Sequence, residues 1–131
     1  MKTTKKDFEV FKKECKKWID IFELNNWEIM FIHSKRADNR AWINPSTDPR
    51  LVKIALGAEW INLEPDTISV NDIKRVAFHE ICELLLEPLG YLAECRFITE
   101  TEIEPARHDI IGKLENTIFK DSDQRNFNPS R

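Results

Sequence analysis

The sequence predicts an α+β domain: an N-terminal helix, a small three-stranded, mainly antiparallel sheet, a buried helix and a C-terminal helix. Three observations predict it. Apolar residues recur at helical spacing near the start. Three short β-rich segments follow, joined by links shorter than the dozen or more residues a parallel crossover needs. Residues 76–89, VAFHEICELLLEPL, then form a nearly unbroken apolar run with His79, Glu80 and Glu83 in its middle. With 131 residues the chain fits one compact domain, placed at residues 1–120, followed by a polar tail at 121–131.

Each element has its own signal. Within residues 4–24, Phe8, Phe11, Cys15, Trp18, Ile19 and Phe22 share one helix face, with lysines and acids on the other. The Asn25-Asn26 pair stops that helix. WEIMFIH (27–33), RAWIN (40–44) and LVKIAL (51–56) are the three strands, and short links favour a meander. Between them, 35–39 is a polar turn, and Asn44-Pro45 and Asp48-Pro49 are breakers. Gly57 ends or bulges the third strand. Residues 58–67 are irregular, with a turn at Pro65-Asp66. Ser69 and Asp72 have the spacing of a capping box before the central helix, which should end near Pro88 and Gly90. A last helix runs from about Thr101 to Phe119, with Thr101 and Glu104 in capping-box register and Pro105 in its first turn.

Composition excludes several classes. Hydrophobic residues are 41% and charged residues 33%, ordinary for a globular protein. A formal net charge of -3 gives no electrostatic reason to expect nucleic acid or an anionic membrane as partner. No apolar run approaches the roughly 20 residues of a membrane span. The start, MKTTKKDFEVFKKECKK, has basic residues but no apolar core after them, so no signal peptide is expected. Cys15, Cys82 and Cys95 are an odd number without CxxC spacing, which suits reduced thiols and a cytoplasmic setting.

The chemistry is expected on the central helix. At about 100° per residue, His79 and Glu83 lie one turn apart on one face and Glu80 on its flank. A helix apolar all round belongs inside a fold, and isolated charges inside are costly, so these three groups need partners. A divalent metal meets that need by taking a carboxylate and a neutral imidazole together; a buried His–Glu hydrogen-bond pair is the plainer alternative. HExxE also follows the logic of the zinc-protease helix, where ligands at i and i+4 share a face and the Glu after the first His works on water at the metal. Carboxylate oxygen binds zinc at nearly the distance of imidazole nitrogen, so Glu83 is an acceptable replacement for a second His.

A third ligand has to come from elsewhere. His108 on the following helix is the candidate, giving two imidazoles and one carboxylate with a position left for water. Glu104 or Glu115 would orient it or take its place, and a solvated helix histidine is the alternative. Cys82 faces away from Glu83, and His33 at the end of the first strand reads as a satisfied structural residue. The four tryptophans read as core and the lysine-rich start as a solvated helix face.

The N-terminal helix, the strands ending in LVKIAL, FHEICELLL and RHDIIGKLEN together resemble the small zincin-like metallopeptidases common in phages and prophages. The resemblance covers roughly residues 8–119, most specifically 78–86 and 107–116. It implies a minimal zincin fold, with an active-site helix beneath a small twisted sheet and a substrate strand pairing beside the sheet edge. It also implies His79 and Glu83 as metal ligands and Glu80 as general base, the departure being Glu83 where most zincins carry His. The expectation is therefore a zinc (Zn2+) metallopeptidase acting on a peptide or protein, in a bacterial or phage-infected cell, with either RAWIN or LVKIAL as the edge that holds substrate. A non-enzymatic protein-binding module with a structural metal or a buried His/Glu cluster is the competing class.

Overall fold

The computed structural model describes residues 1–35, 39–61, 67–95 and 97–119. The expected turn at Pro65-Asp66 and the tail at 121–131 lie outside these. Helix α1 (Lys5–Ile21) starts at a capping box in which Thr4 and Asp7 satisfy each other's backbone N–H groups. Its Phe11, Cys15 and Ile19, together with Phe22 just beyond it, are buried, as the helical spacing predicts.

Strands β1 (Glu28–Ser34), β2 (Ala41–Thr47) and β3 (Arg50–Gly57) form one sheet in the order β1-β3-β2. The expected meander is corrected here. β3 is central, parallel to β1 and antiparallel to β2, so the sheet is mixed. The error lay in treating a short link as proof of adjacency. Six residues, 35–40, separate β1 from β2. That length can span ~20 Å, whereas skipping one strand requires only ~10 Å. β2 also runs through Pro45, which the sequence marks as a breaker. As an edge strand, β2 can carry a residue that has no N–H to donate.

The register sets Ile29, Val52 and Pro45 in one row, Phe31, Ile54 and Ile43 in the next, and His33, Leu56 and Ala41 in a third. Val52, Ile54 and Leu56 of this face are fully buried in the core that α1 and α2 supply. Helix α2 (Val70–Glu94) begins at the predicted Ser69–Asp72 capping box. It runs past Pro88, where an end was expected. An interior proline removes one hydrogen bond, yet residues beyond it still propagate the helix, and Leu89 packs against the core. Helix α3 (Glu100–Leu114) is continued by a π-helical turn, Glu115–Phe119. Its N-cap is Thr99, whose N–H donates to Glu102 Oε2, two residues before the predicted box. Ile110 is its buried anchor. No helix among the described residues is long and apolar enough to cross a membrane.

Gly57 is where the sheet meets the chain leading into β2. Its N–H donates to Arg40 O at 2.8 Å. A Cβ there would lie 2.5 Å from Asn39 O and 3.0 Å from Arg40 O, both backbone atoms. Gly57→Ala is therefore expected to lower stability by about 1–3 kcal/mol, read as a reduced urea midpoint at unchanged slope. A midpoint equal to wild type would show that the β2 entry yields freely.

Candidate metal centre on helix α2

The position of the site follows from which arc of α2 is buried. Ile73, Ala77, Ile81, Leu84 and Leu85 face the core. At about 100° per residue, Glu83 lies about 40° and Glu80 about 100° round from His79, which puts Glu80 at the rim of that buried arc. The structure agrees. Glu80 is 5% exposed, while the side chains of His79 and Glu83 are 70% and 52% exposed. The expectation that all three are carried inside is thus corrected. Phe78 and Leu86 also reach solvent, so α2 is a helix with one open face.

The ligand atoms of His79, Glu80 and Glu83 lie within 4.8 Å of one another, a group that could hold a metal ion. His79 Nε2 and Glu83 Oε1 are 3.9 Å apart. That is too far for a hydrogen bond, yet close to the ~3.4 Å between two ligands of a tetrahedral zinc with bonds of ~2.0–2.2 Å. Among the described residues Glu80 Oε2 is buried and has no hydrogen-bond partner. Burial first, and then the hydrogen bond and charge of Glu83, push the Glu80 carboxyl up from 4.5 to about 8. The pair therefore holds a proton at neutral pH, where a cation could stand instead. An orphaned buried oxygen beside an imidazole and a second carboxylate suits a divalent ion.

The group opens into a cleft. One part, of about 330 Å3, is lined by Asn39, Ala41, Trp42, Ile43, His79, Glu80 and Glu83. An adjoining part of about 300 Å3 is lined by Arg40, Ala41, Arg75, Val76, His79 and Glu80. Edge strand β2 thus forms one wall and α2 the other. Beneath, the fully buried thiol of Cys15 is pushed upward by burial and then by Glu80 and Glu14, so it is a poor ligand.

His108 is not brought into the group. Its side chain is 70% exposed and its Nε2 lies 3.2 Å from Glu104 Oε2, one turn back on its own helix. Glu115 is exposed near the other end of that helix. His33 is held elsewhere. Its Nε2 donates to the Thr3 hydroxyl at 2.6 Å, that hydroxyl donates to Gly57 O at 2.7 Å, and the ring stacks on Phe8. Cys15, Cys82 and Cys95 are all free. The sequence reading passed over Arg75, although its position four residues before His79 puts it on the same open arc.

In comparisons with known proteins, no family model, no curated protein and no solved structure matches this chain.

The raised Glu80 carboxyl fixes a pH dependence. The folded state holds this proton more tightly than the unfolded chain does. Its stabilising contribution is therefore complete below pH ~4.5 and is lost as pH climbs to about 8. Glu80→Gln keeps a neutral group there at every pH. In metal-free protein it should match wild type near pH 4.5 and exceed it at pH 8 by on the order of 3 kcal/mol. Denaturation at the two pH values checks this, and parallel behaviour of the two proteins would contradict it.

Proposed function

We propose that this protein is a zinc-dependent peptidase of the zincin-like kind that its FHEICELLL segment resembles. The observation that carries the reading is the His79–Glu80–Glu83 group, with its unpartnered Glu80 oxygen, opening beside the edge strand β2. His79 Nε2 and Glu83 Oε1 would hold the ion, with Glu80 facing it from the buried side. Among the described residues, His108 does not supply the third protein ligand expected of a catalytic zinc. When bound, the ion supplies Lewis acidity toward a carbonyl oxygen and toward water.

The rest falls to the chain's own groups. Among the described residues β2 pairs with β3 along one edge only, so an extended peptide can add to its other edge and pass His79 and Glu80. LVKIAL cannot serve this way, because β3 is paired on both sides. Glu80, relieved of its own proton by the nearby cation, would accept the proton of the attacking water and hand it to the leaving amine. Its buried setting raises its basicity and suits it to that exchange near neutral pH.

A second reading is a protein-binding module, favoured by an open apolar groove at the end of α3. Ile111, Leu114, Ile118 and Phe119 line it, and all but Leu114 are exposed. Metal loading and hydrolysis separate the two. Wild type is expected to bind one zinc and cleave an unfolded protein substrate. His79→Ala and Glu83→Ala should each weaken zinc by roughly a hundredfold or more. His108→Ala should keep it. Glu80→Gln should retain zinc and lose about 10²–10⁴-fold in turnover. Elemental analysis and a peptide-release assay read these outcomes. Zinc retained by His79→Ala, or cleavage undiminished in Glu80→Gln, would overturn the peptidase reading.

A further inference from the structure

The cleft changes sign along its length. At one end stands Glu83; at the other stand Arg40 and Arg75, with His79 and Glu80 bordering both parts. Arg75 sits one helical turn before His79 on the open arc of α2, and Arg40 immediately precedes β2. The Arg40 guanidinium carbon is 5.4 Å from the ring of Trp60, a fully buried side chain that gives it a fixed platform. Among the described residues neither arginine makes an ion pair with a carboxylate. The acid that senses both is Asp72. Its own carboxylate accepts from Ser69 N–H as a helix cap, which holds it below the usual range before the two arginines add to the effect. Both cations therefore approach the same end of α2, and both line the same cavity of about 300 Å3.

We propose that Arg40 and Arg75 form a carboxylate subsite beside His79, which selects peptides carrying an acidic group next to the bond to be cleaved. This rests on the peptidase reading of the same cleft. A peptide lying along β2 past His79 meets the two guanidiniums within the cleft it already occupies. Planar guanidinium forks match a carboxylate with paired, charge-assisted hydrogen bonds. The arginines place uncompensated positive charge beside His79, where selection is made. The carboxylate is either an Asp or Glu side chain or a free chain terminus, and the two have the same chemistry.

Three hydroxamate dipeptides, which bind a zinc ion through their hydroxamate, test this by titration calorimetry against zinc-loaded protein. One carries a Glu side chain and an amidated end, one Gln and an amidated end, and one Gln and a free carboxyl end. One of the carboxylate probes is expected to bind wild type at least about tenfold more tightly than the neutral probe. The preference should fall to within about twofold in R40Q/R75Q, while the affinity for the neutral probe is kept. A preference for the Glu probe assigns the subsite to side chains, and one for the free carboxyl end assigns it to chain termini. Equal binding of all three probes, or a preference that survives in the double variant, overturns the subsite while the zinc-held neutral probe leaves the peptidase reading standing. Wild type that takes up no zinc overturns both.

Discussion

Among the described residues one oxygen of a carboxyl group, Glu80 Oε2, is sealed from solvent without a hydrogen-bond donor, and the same group shares a hydrogen bond with another acid, Glu83. Leaving a buried polar atom unmatched costs about 1–3 kcal/mol, and two carboxylates at close range cannot both be charged without a cation between them. The fold tolerates this at the rim of the core-facing arc of α2, where leucine or alanine would satisfy packing. A proton shared with Glu83 relieves the repulsion at neutral pH but leaves Oε2 unmatched. A divalent ion held by His79 and Glu83 would relieve the repulsion and face Oε2 with positive charge.

The sheet puts a usable surface beside that group. Because β3 rather than β2 occupies the centre, β2 is left as an edge against α2, with Ala41, Trp42 and Ile43 facing the same cleft as His79 and Glu80. Gly57 makes that placement possible. Only a residue without a side chain lets β3 end against the Asn39 and Arg40 carbonyls. The core that supports this arrangement is ordinary. Phe11, Cys15, Ile54, Leu56, Ile73, Ala77, Ile81 and Leu84 are all fully buried and fix α2 against α1 and the sheet.

Local signals in the sequence carried much of this. The cap at Ser69, the apolar face of α1 and the three strands stand where spacing and turn residues put them. His79, Glu80 and Glu83 were singled out by type and spacing, and they do converge. What the sequence could not supply was non-local. Strand order depends on which neighbour each strand finds in space, and a six-residue link permits both orders. The exposure of His79 and Glu83 depends on what covers α2, which an apolar composition misjudged because Phe78 and Leu86 are left in the open. His108 shows the same limit. Helical spacing pairs it with Glu104 on its own helix, and proximity to α2 cannot be read from spacing at all. Arg40 and Arg75 come from different elements and share a cleft only once β2 is folded against α2.

The central claim is that a cation takes the place of a proton between Glu80 and its neighbours. Calorimetric titration of chelator-treated protein with zinc at pH 7, repeated in buffers of different ionisation enthalpy, counts the protons released on binding. Stoichiometric binding with close to one proton released, falling toward none above pH 9, is the predicted result. No zinc binding, or binding with no proton released at pH 7, would contradict it.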